Sequence, residues 1–215
     1  MKATILKKLT VGIICISFTL TGYKSQAQES VKIGTQVWTT ANLMVTTYRN
    51  GDSITVVTTR KDWEMAGKDM KPVMCFYDFH SENGPKYGAL YNWYAVNDPR
   101  GLAPSGWHIP TDDEWKTLTA YLGGDEKCTH KLKATSVWPE STLTNVKATN
   151  SSGFTALPAG YCNWGGRCMG LETVGEWWSS STAGEASAWL RVIDFSISRP
   201  SFPKKHGASV RCVKD

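Results

Sequence analysis

The chain has 215 residues, with 24 lysines and arginines against 19 aspartates and glutamates, for a net charge of +5. The first 27 residues hold four of the basic residues and no acidic ones, so the remainder carries 20 against 19 and a net charge of +1. So small an excess does not provide the clustered basic face that nucleic-acid binding needs, and no nucleic-acid partner is expected.

The first 27 residues have the three parts of a secretory signal peptide. Lysines precede an apolar run, Leu9–Leu20, and Ser25 and Ala27 supply the small residues of a cleavage site. The run is 12 residues long, short of the roughly 20 that a membrane-spanning helix needs. We therefore expect cleavage after residues 1–27, a single mature domain at 28–215 without a membrane span, and export to the periplasm, the cell surface or the medium.

The first part of the mature chain predicts small elements separated by turns. Apolar residues on both sides of Gly34-Thr35 predict a hairpin over 31–38. Asn50-Gly51 is a second turn signal. The segment "PVMCFYDF" at 72–79 is typical of a short buried strand, and apolar residues at helical spacing predict a helix over 87–98.

The segment "GWHIPTDDEW" at 106–115 places a histidine beside three carboxylates. Thr111 and Glu114 have the spacing of a capping box, and Asp112 and Asp113 occupy the first turn, where carboxylates complement the helix dipole. The pattern therefore predicts a helix start rather than a metal site. An apolar stripe and a glycine stop complete this helix: Trp115, Leu118, Leu122 and Gly123-Gly124.

The C-terminal half is typical of β-structure with long turns, with strands expected at 153–161, 176–181, 188–195 and 208–213. Because neighbouring residues of a strand alternate, one of Trp177 and Trp178 is expected to face inward and one outward. The whole pattern predicts an α+β fold with two helices, short antiparallel strands and long loops.

Several motifs occur in an order that resembles a known family. They are "VKIGTQVWTTANL", "KYGALYNWYAV", "LAPSGWHIPTDDEWKTLTAYLGG", "TNSSGFTALPAGY", "WWSSST" and a terminal "GASVRCV". Together they resemble the Fibrobacter succinogenes major paralogous domain (FISUMP), found in exported proteins of Bacteroidetes and Fibrobacteres. The resemblance implies a C-type-lectin-like fold, in the group that includes sulfatase-modifying factors, and it implies no assigned activity.

The fold group suggests two more specific functions, a sulfatase-modifying enzyme and a calcium-dependent lectin. The residues support neither strongly. Sulfatase-modifying enzymes use a pair of cysteines near the C-terminal end, whereas here only Cys212 lies in the last 40 residues. The tripeptides with which C-type lectins bind calcium do not occur, and Asp78 and Glu82 form the best remaining oxygen cluster, in a segment otherwise typical of a solvated loop. His108 is expected to pack and bond a loop carbonyl, and His206 to lie in a loop without a partner. No cofactor or catalytic residue is assigned, and an enzyme remains the weakest alternative.

Five cysteines remain in the mature chain. Cys162 and Cys168 flank "NWGGR"; if this segment is a hairpin turn, the two can face each other as a disulfide. Cys75 and Cys212 resemble family-typical cysteines, and we expect them either to pair or to be buried thiols, with pairing favoured. Cys128 would then be the odd thiol.

The late loops, at 162–178 and 196–207, are the expected recognition surface. Trp164 and Arg167 lie at a glycine-rich tip, Trp178 is the outward candidate of its pair, and Arg199 gives the second loop a basic rim. The sequence therefore predicts a secreted, calcium-independent recognition module for glycan or extracellular protein. A structural or adhesin-type assembly module is the first alternative.

Overall fold

The computed structural model describes residues 29–139 and 147–215, so the predicted signal peptide lies outside the described residues. The described ranges form an α+β domain, as predicted. Its helices are α1 (Arg60–Lys68), α2 (Gly84–Tyr87), α3 (Trp93–Val96), α4 (Asp112–Tyr121) and α5 (Asp125–Leu132). Its strands are β1 (Ser30–Ile33), β2 (Gln36–Thr39), β3 (Thr55–Val56), β4 (Val73–Cys75), β5 (Leu90–Asn92), β6 (Trp107–His108), β7 (Ala159–Cys162), β8 (Cys168–Leu171), β9 (Gly175–Thr182), β10 (Ser187–Ile193), β11 (Ile197–Ser198), β12 (Ser201–Pro203), β13 (Gly207–Ala208) and β14 (Val213–Lys214).

The strands form two sheets. The smaller sheet has the order β1-β2-β14-β6, so the late strand β14 lies beside β2. The hairpin predicted over 31–38 is confirmed as the antiparallel pair of β1 and β2. The larger follows the path β11-β10-β9-β7-β13-β5-β4-β3, with β12 beside β10 and β8 beside β7. Its pairs are antiparallel apart from β7 with β9 and β3 with β4. No helix within the described ranges has the length and apolar character needed to cross a bilayer.

The prediction of two helices is wrong, since the described residues contain five, and the helix expected over 87–98 is the clearest error. Gly88 has φ +78° and ends α2, and the next residues form β5 instead. Leu90 pairs with Cys75 and Tyr91 with both Met74 and Ala208 across the sheet. Tertiary pairing therefore overrides the helical spacing of this segment, which keeps only the single turn of α3.

Helix α4 begins as the sequence predicts. The Thr111 hydroxyl accepts from the backbone N–H of Glu114, and the Glu114 carboxylate accepts from the backbone N–H of Thr111, so the capping box is complete. Asp112, however, does more than complement the helix dipole. Its side chain is 7% exposed and accepts from Arg191 at 2.8 Å and Arg199 at 2.7 Å.

Strand β9 runs through the core with both faces covered. Trp177 and Trp178 are both fully buried, and they belong to different apolar clusters, one on each side of the strand. The expectation that one of these indoles faces outward is therefore wrong. Alternation holds along the strand, but both faces of β9 are packed against other elements.

A buried arginine joins the N-terminal and C-terminal parts of the chain. The Arg211 guanidinium donates to the carbonyls of Thr39, Phe154 and Thr155 and to the side-chain oxygen of Asn42. Burial lowers the pKa of Arg211 to about 9. Its donors are matched by neutral acceptors, which is what allows a charge to remain in the core.

Candidate functional site

The most exposed part of the predicted recognition surface is the turn between β7 and β8, residues 162–168, which we call the tip. Cys162 pairs with Cys168 across the hairpin, and their sulfurs form a disulfide, as predicted. The glycine pair supplies the turn, where Gly166 adopts φ +73°. The tip is therefore closed covalently at its base.

Hydrogen bonds fix the tip from within. The Asn163 side-chain oxygen accepts from the backbone N–H groups of Gly165, at 3.0 Å, and Arg167, at 3.0 Å. The Asn163 N–H in turn donates to the Arg167 carbonyl, and the Gly166 N–H donates to the Asn163 carbonyl. Few backbone groups of the tip remain free to change partners, so its shape is set before any ligand arrives.

Helix α1 holds the tip from outside. The Trp63 indole N–H donates to the Asn163 carbonyl at 3.1 Å, and Arg60 donates to the Gly165 carbonyl at 2.8 Å. A Cβ added at Gly166 would lie 2.7 Å from the Arg60 carbonyl oxygen, so only glycine fits this approach. The sequence analysis missed Arg60, because its partner lies more than 100 positions away along the chain.

The same helix joins the tip to the second predicted loop. A Cβ added at Gly67 would lie 2.9 Å from Lys205, and one added at Gly207 would lie 2.7 Å from the Trp63 ring. Gly207 also pairs with Cys162 through β13 and β7. The loops at 162–178 and 196–207, which the sequence predicts as the recognition surface, therefore both contact α1.

Two of the four predicted ligand-binding residues are exposed at the tip. Trp164 keeps 50% of its surface exposed, the only indole among the exposed large apolar residues of the described chain, and Arg167 is exposed beside it. A tryptophan side chain offers a large apolar face and one N–H donor, so an exposed indole can serve as a contact for a ligand. The geometry thus leaves this ring and this guanidinium available on a rigid loop.

The other two predicted ligand-binding residues are used by the fold. Trp178 is fully buried and donates its indole N–H to the Tyr91 carbonyl at 2.9 Å, so it cannot touch a ligand. Arg199 is bound to Asp112 and lies 3.5 Å from the centre of the Trp189 ring. It anchors its loop to α4, although its side chain keeps 34% of its surface exposed. The assignment of Trp178 is therefore wrong, and that of Arg199 stays a prediction.

The favoured pairing of Cys75 with Cys212 is wrong, and the alternative of two buried thiols is confirmed. Both are free, buried thiols in separate apolar clusters, and the Cys75 sulfur lies 3.9 Å from that of Cys162. Burial raises the pKa of Cys212 to about 12 and that of Cys128, also buried, to about 11. Burial keeps these thiols protonated at neutral pH, unlike the low-pKa, partly exposed cysteines that serve as nucleophiles.

Both histidines that the sequence analysis assigned a role have carboxylate partners that it missed. His108 Nδ1 lies 2.8 Å from Asp215 and Nε2 lies 2.7 Å from Glu114, so the ring bridges two acids and does not bond a carbonyl. His206 lies in the loop before β13, as predicted, but it is not without a partner. It is fully buried, and its Nε2 lies 2.6 Å from the buried Glu176 carboxylate.

A shallow cleft of about 400 Å³ shares no residue with the tip. Its polar lining includes Arg49, His108 and Thr111. Arg49 donates to the carbonyls of Ala103 and Trp107, and Thr111 caps α4, so these groups already serve the fold. The cleft is therefore a weaker candidate than the tip.

The oxygen cluster of Asp78 and Glu82 does not converge on a point. Asp78 lies in one 3-10 turn and Glu82 in the next, and Glu82 lies 3.5 Å from His80. In the two described ranges, no three or more histidine, cysteine or carboxylate side chains are grouped in a way that could hold a metal ion.

Comparison with known families places the chain. A model of the Fibrobacter succinogenes major domain matches residues 31–214. The chain belongs to this family. The predicted membership is thus confirmed over nearly the whole span on which it was based. No curated protein and no solved structure matches the chain. Membership in the Fibrobacter succinogenes major domain family therefore shows which proteins the chain is related to, but it assigns no activity. The C-type-lectin-like arrangement stays a prediction.

Proposed function

We propose that this protein is a secreted, non-catalytic recognition module that binds glycan or protein at or outside the cell surface through the tip. The observation that supports this most is Trp164, a half-exposed indole on a loop closed by a disulfide. The flat ring can lie against the C–H face of a sugar or fill a pocket of a protein partner. The proposal requires no calcium ion.

Rigidity supports the same proposal. Binding costs free energy wherever a loop must be ordered, and the tip is already ordered by its disulfide, by Asn163 and by α1. In a C-type-lectin-like arrangement, which we also propose, such late loops are the positions that vary between ligands.

A glycan array with a matched pair of variants tests the proposal. Trp164→Ala removes the indole of the tip, and Phe195→Ala removes a ring that is 56% exposed but lies in the turn after β10. We expect wild type and Phe195→Ala to bind the same glycans. Trp164→Ala should bind them at least about tenfold more weakly, which corresponds to about 1.4 kcal/mol.

The outcomes separate the alternatives. Equal binding by Trp164→Ala and wild type would refute the role of the tip. Silence across the array, together with concentration-dependent self-association in analytical ultracentrifugation, would favour an assembly module of the adhesin type. Loss of that self-association in Trp164→Ala would still assign the tip to recognition, with a protein as its partner.

A further inference from the structure

The face around the tip carries positive charges that the fold leaves without a partner. Arg60, Arg167 and Lys205 lie on α1, on the tip or on the loop packed against α1. Among the described residues, no carboxylate lies within 4.0 Å of any of these three cationic groups. We call these three residues and Trp164 the basic face.

The two acids nearest this face already have partners on α1 itself. The Asp62 carboxylate accepts from the Thr59 hydroxyl at 2.6 Å, at the helix start. Glu64 pairs with Lys68 at 2.8 Å, one helical turn away. The hydrogen bond from Lys68 lowers the pKa of Glu64, and the charges of Arg60 and Lys205 lower it further. The basic face has three cations against these two acids, one of which is already paired with Lys68, so it keeps a net positive charge.

The positions of the cations around the indole are fixed by contacts. Arg60 is held against the tip by its bond to Gly165, and Lys205 is held against α1 at Gly67. Arg167 is exposed and lies across the hairpin turn from Asn163. Two guanidinium groups, those of Arg60 and Arg167, therefore belong to or contact the same short turn as Trp164, while Lys205 lies beside Gly67, about 10 Å further along α1.

We infer that the ligand of the tip is an anionic polysaccharide, whose sugar rings stack on Trp164 while its carboxylate or sulfate groups pair with the basic face. This inference rests on the proposed function. Guanidinium groups suit carboxylate and sulfate oxygens, since their N–H donors match two acceptors at once.

A glycan accounts for this face better than a protein does. Stable protein interfaces bury about 800 Å² on each partner and have an apolar centre of several side chains. The tip offers one exposed large apolar side chain, Trp164, and α1 adds Met65, which is 50% exposed. Two separate apolar side chains are fewer than the centre of a protein interface contains. One stacking platform beside two guanidinium groups matches a repeating, hydroxylated and anionic chain.

Two matched pairs of polymers test the inference with the purified protein. Polygalacturonate is compared with the same polymer fully methyl-esterified, and dextran sulfate with dextran. In each pair the backbone is shared and only the charge differs. We expect the charged member to bind more tightly, and the two pairs together show whether carboxylate or sulfate is preferred. Raising NaCl from 50 to 500 mM should weaken this binding, because salt screens exposed charges.

Variants then assign the effect to this face. Replacing Arg60 and Arg167 together by glutamine should weaken binding of the charged polymer roughly two- to twentyfold, since each exposed ion pair contributes a factor of about 1.4 to 5. Lys32→Gln with Lys214→Gln removes the same charge from the smaller sheet and should leave binding unchanged. Arg60→Lys keeps the charge but not the guanidinium bond to Gly165, and it should retain most of the binding.

Each of these experiments has a result that would overturn the inference. Binding that depends on Trp164 but is equal for charged and neutral polymers would overturn the anionic ligand and leave the proposed function standing. Unchanged binding of the charged polymer when Arg60 and Arg167 are replaced together would show that these cations do not contact the ligand, and it would overturn the inference. An equal loss in the Lys32 and Lys214 variant would show a general charge effect, and binding only to an acidic protein would replace the polysaccharide; both results overturn the inference.

Discussion

Replacing Asp112 by asparagine should destabilise the fold far more than the same change at its neighbour. Asp112 accepts from Arg191 at 2.8 Å, Arg199 at 2.7 Å and Lys116 at 2.9 Å, and its side chain is 7% exposed. Asp113 has an 88% exposed side chain and a single ion pair with Lys116. Both residues lie in the first turn of α4, so Asp113→Asn is a matched control for charge and helix position.

The magnitude follows from what the substitution leaves behind. The Arg191 side chain is only 3% exposed, and an asparagine opposite it supplies no charge. Removing one partner of a buried ion pair costs about 3–5 kcal/mol, because the other charge stays buried without compensation. Asparagine keeps one acceptor oxygen, so we expect about 3 kcal/mol for Asp112→Asn and about 0.5 kcal/mol or less for Asp113→Asn. In a domain of this size, 3 kcal/mol corresponds to a fall of about 6–12 °C in Tm.

Urea unfolding followed by tryptophan fluorescence measures the difference, and its pH dependence gives a second test. Burial alone would raise the pKa of Asp112, but the hydrogen bonds from Arg199, Lys116 and Arg191 hold it below its usual range. A carboxyl with a lowered pKa in the folded state stabilises fully above its unfolded pKa of about 3.9 and loses this as pH falls through the folded value. The gap between wild type and Asp112→Asn should thus be constant from pH 5 to 8 and shrink at lower pH.

Equal losses of stability in Asp112→Asn and Asp113→Asn would refute this reasoning. Such a result would mean that both carboxylates act only on the helix dipole, as the sequence alone suggests. A gap that stayed constant down to pH 2 would show that the substitution acts through shape rather than charge.

Three further predictions concern the histidine bridge, the disulfide and the indoles. Burial alone would lower the pKa of His108, but its bonds to two carboxylates raise it. The stabilising effect of the protonated ring is therefore complete below pH 6.5 and is lost as pH rises through the folded pKa. His108→Gln should cost up to about 1 kcal/mol of unfolding free energy at pH 5.5 and less at pH 9, measured by urea unfolding. Reducing the disulfide of the tip should cost about 2–3 kcal/mol by loop entropy, seen as a lower Tm, while the three free thiols react with a thiol reagent only after unfolding. Trp178→Ala should cost about 3–5 kcal/mol, whereas Trp164→Ala should change stability by within about 0.5 kcal/mol in the same assay.

Each of these has a result that contradicts it. A loss in His108→Gln that grows with pH would reverse the assigned direction of the pKa shift. Rapid labelling of a free cysteine in the native protein would contradict its burial. Equal unfolding midpoints for the two tryptophan variants would contradict the division of the indoles into core and surface.

Short-range features of this protein were predictable from the sequence. The hairpin around Gly34, the capping box of Thr111 and Glu114 and the disulfide across the tip each depend on residues within about seven positions of one another. Turn and cap preferences act over that range, so the local chain carries the information. The placement of Trp164 at the tip followed from the same turn, but its exposure did not, because a ring at a turn can also fold back onto the core.

The tertiary structure decided which side chains the core would use. Asp112 and Trp178 have the sequence context of surface residues, yet one neutralises a buried arginine and the other lies in a strand packed on both faces. Arg60 meets the tip only because α1 packs beside β7, although the two are about 100 positions apart in the chain. Periodicity predicts which way a side chain points within its own element, but it does not predict which other element covers that side chain. The covering elements determined which part of the predicted surface is free to bind.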